Sequence, residues 1–135
     1  MIELTEQKKK HIKKLAQKYS LDLLLLFGSQ ISGKTHKESD FDFAYLSSRK
    51  LDLDQEGQLI NDLLFLVEKR DERVINLVNI KKAVPLLLYA MTSQSQLLYE
   101  KEPATFAALR AYSFKKYIET KPLYQMRAER LSQLK

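Results

Sequence analysis

The chain contains no cysteine, which excludes a disulfide framework and any zinc site built on thiolates. Histidine is scarce. His11 and His36 are the two, and they do not stand at metal-ligand spacing, so a histidine metal centre is excluded as well. No apolar run approaches the roughly 18 residues that would mark a membrane span. The first residues, Met1-Ile2-Glu3-Leu4-Thr5-Glu6, are acidic with no apolar run behind them, and do not read as a signal peptide. Glycine and proline number three each, and there is no internal repeat or low-complexity segment. The absence of cysteine fits a reducing, cytoplasmic setting.

What is present describes one folded domain. At 135 residues, with 44% hydrophobic and 30% charged side chains, the chain is long enough to bury a core without staples. The net charge of +6 permits an acidic partner or RNA. The basic residues are scattered, however. The one concentration, Lys8-Lys9-Lys10 with Lys13-Lys14, falls on an expected helix and reads as its solvated face. A basic patch with interleaved aromatics is absent, so nucleic acid is not expected as a partner.

Periodicity divides the chain into alternating elements. Thr5 caps a helix over residues 5–19, with Ile12, Leu15, Ala16 and Tyr19 as its apolar stripe. His11 beside that stripe reads as solvated. Residues 22–27 are apolar throughout, as in a strand covered on both faces. A loop and short helix follow over 29–37, then an aromatic-rich strand over 40–46. Asp52 or Asp54 caps a helix reaching residue 69, with Leu59, Ile60, Leu63, Leu64 and Val67 inward. A β-branched strand spans 73–80, a helix 81–92 with Pro85 in its first turn, and an edge strand 94–99. A last helix starts at Pro103. Pro122 breaks it, and an amphipathic segment with Leu123, Met126, Leu131 and Leu134 completes the chain. The expected division is a domain over 1–100 and a helical extension over 101–135, packed on that domain or on a partner.

The stretch between the first two strands is GSQISGKTHKESDFD, residues 28–42. Gly28 allows a sharp turn and close approach of backbone to a ligand. Ser29 offers a hydroxyl and an N–H to phosphate. Asp40 and Asp42 lie two apart at the start of a strand, so they share a face, roughly 6.5–7 Å apart along the chain. Two such carboxylates suit a hard cation such as Mg2+. In the same loop, Lys34 and Lys37 are candidates for steering a triphosphate.

This spacing resembles the GSx10DxD signature of nucleotidyltransferases related to DNA polymerase β. Gly28, Ser29, Asp40 and Asp42 match it, and Gly33 and Ser39 sit where the family often has them. The short chain is most similar to the minimal nucleotidyltransferase (MNT) group, whose members include antitoxins paired with HEPN ribonuclease toxins. The resemblance covers about residues 10 to 100. It implies an α/β (α+β) fold with a mixed sheet of about four strands and helices mainly on one face.

The resemblance also implies a chemistry. Asp40 and Asp42 would hold Mg2+, and Gly28, Ser29 and Ser39 would hold the phosphates of ATP. AMP would pass to a tyrosine hydroxyl of a cognate HEPN toxin and silence it. Two departures stand out. Ile31 and Ser32 occupy positions where the family often has Ala-Arg. Asn76 occupies the position of a third, catalytic carboxylate, and Asn79 that of a neighbouring acid. An amide carries no charge and is a poor base, so two functions stay open: an adenylyltransferase of reduced activity, or a protein that neutralises its toxin by binding alone. An enzyme modifying nucleic acid is the third and weakest alternative. The chain has no R-x4-6-H motif and so is not itself the ribonuclease. A homo-oligomer remains possible and a membrane is not expected.

Overall fold

The computed structural model of the chain describes residues 1–28 and 40–133. Ser29, Gly33, Ser39, the loop residues Ile31, Ser32, Lys34, His36 and Lys37, the expected short helix among them, and Leu134 lie outside the described residues. Among those described, no helix is long and apolar enough to cross a membrane.

Helix α1 runs Glu6–Tyr19 and begins where Thr5 accepts the Lys8 N–H at 3.2 Å. Its buried residues are Ile12, Leu15, Ala16 and Tyr19, one stripe at helical spacing. Ser20 in the left-handed region (φ 54°) ends it and turns the chain into β1, Leu21–Phe27. Strand β2 is Phe41–Ser47. Helix α2, Leu53–Val67, opens with a reciprocal cap. The Asp52 carboxylate accepts the Gln55 N–H at 2.8 Å, and the Gln55 side chain accepts the Asp52 N–H at 3.0 Å. Of its expected inward stripe, Leu59, Leu63, Leu64 and Val67 are buried, Ile60 is partly buried, and Leu66 joins them.

Strand β3 is Ile75–Asn79, between two short 3-10 turns at Glu72–Val74 and Ile80–Lys82. Helix α3 is Pro85–Ser93, later than the expected start at residue 81. Pro85 is its first residue, and the clash of a proline ring with the preceding backbone holds Val84 extended (φ −72°, ψ 159°), so the helix cannot begin upstream. Strand β4 is Ser95–Glu100, and α4 is Thr105–Ser132.

Helix α4 also departs from expectation, because Pro122 lies inside it without breaking it. A proline removes one ladder hydrogen bond and crowds the preceding turn. Here the flanking turns are rich in helix-forming Lys, Glu, Leu, Gln, Met and Arg, which favours continuation. Just before it, the Thr120 hydroxyl donates to the Lys116 carbonyl at 2.8 Å.

The sheet is mixed and four-stranded, in the order β3-β2-β1-β4. β1 is antiparallel to both its neighbours, whereas β2 and β3 are parallel and joined across α2. The α+β class and the four-stranded mixed sheet are as expected, but the helices are not mainly on one face, because the sheet is apolar on both sides and each side is covered by two helices. The larger core lies on one face, where Leu24, Leu26, Phe43 and Tyr45 meet α1 and α2. The other face is covered too. Leu23, Leu25 and Ala44 pack against Leu88 and Met91 of α3 and Phe106 and Leu109 of α4. β1 is thus apolar on both faces because both faces are covered.

His11 is not a free surface histidine. Its Nε2 donates to the Asp62 carbonyl of α2 at 2.6 Å, and its ring lies 4.7 Å from that of Phe65. The Asp62 carboxylate accepts the Tyr19 hydroxyl at 2.6 Å and the Lys18 ammonium at 3.1 Å. One residue of α2 therefore ties down three side chains of α1.

Candidate active site

Four strand ends meet at one end of the sheet. β2, β3 and β4 start there, and β1 finishes there. The register places Ser95 opposite Phe27, Phe27 opposite Asp42, and Asp42 opposite Asn76, one row across all four strands. Alternation along β2 puts Asp42 on the face of Ala44, the face covered by α3 and α4. Phe41 and Phe43 point the other way, into the core beneath α1 and α2.

Asp42 is held from both sides. On one side the Asn76 amide donates to Asp42 Oδ1 at 3.1 Å, and also to Asp40 Oδ2 at 3.4 Å. On the other side is Gly28, with φ +80°, where a Cβ would overlap the Asp42 carboxylate and lie 3.0 Å from its Cγ. Glycine is required there twice, by its backbone conformation and by the space the carboxylate occupies. Asp40 and Asn76 are exposed and Asp42 is partly buried, so the cluster opens to solvent.

The structure thus brings together Gly28, Asp40, Asp42 and Asn76, while Ser29 and Ser39 lie outside the described residues. Asn79 is elsewhere. It sits at the far end of β3, where its side chain caps the following 3-10 turn by accepting the Lys81 N–H at 3.1 Å. The donors at the cluster are hard oxygens, four from two carboxylates and one amide oxygen, a set that suits Mg2+ or Mn2+. Among the described residues no three acidic, histidine or cysteine side chains gather as a metal group, because the third member here is an amide. Within the same set, no lysine or arginine forms an ion pair with Asp40 or Asp42.

Ser95 escaped the sequence reading. It shares the row with Asp42, and its hydroxyl is buried without a hydrogen-bond partner among the described residues. A serine at the start of an edge strand carries no local signal, and only the register reveals its place.

The family described as "Polymerase beta, Nucleotidyltransferase" matches residues 10–104. No curated protein matches the chain. Among solved structures, a chain of the crystal structure of a toxin–antitoxin with AMP-PNP is 22% identical with a TM-score of 0.72, over 92% of this chain and 98% of that one. A chain from the toxin–antitoxin MntA–HepT is 19% identical with a TM-score of 0.68, over 95% and 99%. A third, from tri-AMPylated Shewanella oneidensis HEPN toxin in complex with MNT antitoxin, is 19% identical with a TM-score of 0.68, over 96% and 99%. At these identities the structures speak for the fold. The matched segment spans most of the chain and holds Gly28, Asp40, Asp42 and Asn76, and the chain belongs to the polymerase beta nucleotidyltransferase family.

Proposed function

We propose that the chain is an MNT-type antitoxin that transfers AMP from ATP to a tyrosine hydroxyl of a cognate HEPN ribonuclease toxin. The observation that carries this is the open cluster of Asp40 and Asp42 beside Gly28, within the segment matched by the family. The two structures that pair an MNT antitoxin or a toxin–antitoxin with an AMPylated HEPN toxin or AMP-PNP support the choice of partner and nucleotide.

Asp40 and Asp42 would hold Mg2+, which supplies charge neutralisation at the phosphate oxygens. Gly28, Ser29 and Ser39 would hold the phosphates. The toxin tyrosine oxygen forms a bond to the α-phosphorus as the α–β anhydride bond breaks. Pyrophosphate leaves with the bonding electrons, and the phenol proton passes to solvent. Asn76 cannot take that proton, which makes the transfer slow. The setting is cytoplasmic. Residues 101–135 form the extension. Its first half packs on the domain, and its distal half, with Leu123, Met126 and Leu131 exposed, lies against a partner, the toxin or a second copy.

A second function, neutralisation by binding without transfer, is favoured by one observation. The neutral Asn76 amide donates to both carboxylates where a third acid would complete the charge. The test incubates the chain with Mg2+, ATP and its neighbouring gene product and follows intact mass. One or more AMP units on the partner, lost in the Asp40→Asn/Asp42→Asn variant, supports the transferase. A stable complex with no transfer supports binding alone.

A further inference from the structure

We infer that this site takes up one divalent cation, delivered together with the nucleotide triphosphate, and that Asn76 sets that number. The inference rests on the nucleotidyltransferase function proposed above and concerns the same site.

Phosphoryl- and nucleotidyl-transfer sites that use two cations hold them about 3.5–4 Å apart. Four positive charges at that separation need several anionic oxygens to offset their repulsion. The side chains here supply two negative charges, from Asp40 and Asp42, and the third member of the cluster is neutral. A triphosphate brings its own anionic oxygens, which balance one cation shared with the carboxylates. They do not replace a protein carboxylate on the side away from the phosphates.

The geometry points the same way. Asn76 Nδ2 is a donor, and it sits between the carboxylates, 3.1 Å from Asp42 Oδ1 and 3.4 Å from Asp40 Oδ2. The positive end of the amide dipole therefore occupies the position where a second cation would bridge β2 and β3. Turning the amide over would present Oδ1, at the loss of both hydrogen bonds, and would still add no charge. The parallel pairing with Asp42 fixes the Asn76 backbone beside the carboxylates, so its amide stays within reach of both. Asp42 Oδ2 is packed against the bare backbone of Gly28, and the Asn76 amide engages only Asp42 Oδ1 and Asp40 Oδ2. Asp40 Oδ1 and Asp42 Oδ2, the carboxylate oxygens that Asn76 does not engage, can serve one cation with Asn76 undisturbed.

The experiment counts ions. The full chain is equilibrated with Mn2+ and saturating AMP-PNP, and bound Mn2+ per bound nucleotide is measured by equilibrium dialysis and by electron paramagnetic resonance. The natural chain should take up one ion, Asn76→Ala one, and Asn76→Asp two. Without nucleotide, Asn76→Asp should bind Mn2+ at least about tenfold more tightly than the natural chain, because affinity for hard cations follows the number of charged ligands. Circular dichroism checks that each variant is folded. Should Asn76→Asp fail to fold, the counts for the natural chain and Asn76→Ala decide. Two ions in either of them, or one in a folded Asn76→Asp, overturns the inference and leaves the transferase standing. Failure of the natural chain to take up nucleotide with Mn2+ overturns both.

Discussion

Gly28 and Asp42 fit so closely that no side chain can be placed at residue 28 without moving the carboxylate. Gly28→Ala therefore combines two effects. The left-handed backbone costs about 1–2 kcal/mol for a residue with a Cβ, and Asp42 must rotate off its bond to Asn76. Chemical denaturation should show a stability loss of that size. Mn2+-dependent nucleotide binding should fall much further than stability does, since the displaced group is the one expected to meet the cation.

Two buried phenols govern the alkaline limit of the fold. Tyr19 donates to Asp62 at 2.6 Å, and Tyr45 donates to Glu56 at 2.8 Å. Burial first, and then the neighbouring carboxylate, pushes both hydroxyls above their usual value of about 10. The folded state thus keeps protons that the unfolded chain releases. The stability these groups contribute is complete below pH about 10 and is lost as pH rises beyond it. Denaturation midpoints measured across pH 8 to 12 should fall above pH about 10. Tyr19→Phe and Tyr45→Phe should each flatten that fall, while losing about 1–3 kcal/mol at neutral pH with the hydrogen bond.

Asn76→Asp tests the chemistry in the direction of gain. A carboxylate beside Asp40 and Asp42 should raise the rate of AMP transfer on the order of a hundredfold at saturating Mg2+, the scale of one electrostatic group at a reacting centre. The metal-free variant should be less stable than the natural chain by about 1 kcal/mol, from like charges held close together. Single-turnover transfer and thermal melts with and without Mg2+ measure both.

Pro122→Ala should strengthen α4 where it leaves the domain. Interior proline costs about 3 kcal/mol relative to alanine, and beyond Pro122 the exposed side chains include Leu123, Met126 and Leu131. Amide exchange over residues 123–133 should slow in the variant and helical ellipticity should rise. The main unfolding midpoint, set by the sheet and its two cores, should barely move.

Local signals served the sequence reading well. Thr5 marks its helix start by side-chain chemistry that acts within three residues, and of the two caps offered for the next helix, Asp52 and Asp54, the structure uses Asp52. The stripe of Ile12, Leu15, Ala16 and Tyr19 follows from helical geometry alone. The shared face of Asp40 and Asp42 is a property of any strand. Signals that depend on other elements were not legible. His11 reads as surface until α2 supplies the Asp62 carbonyl. Ser95 joins the row of Asp42 only through two strand registers. Pro122 carries a strong local preference for a break, which the helix formers on both sides override. Asn76 came into view through a resemblance, and only the parallel register shows its amide bound to both carboxylates.

The parallel pairing of β2 with β3 also sets when the site comes into being during synthesis. Asp42 and Asn76 are 34 residues apart in the chain, with the whole of α2 between them. A ribosome-bound chain presents both carboxylates before the strand that carries Asn76 has been made. Pairing across that distance is a slow, late kind of contact to form. The cluster of Asp40, Asp42 and Asn76 therefore assembles in one step, when β3 docks along β2, and an arrested fragment ending within α2 would carry the signature residues without the complete cluster.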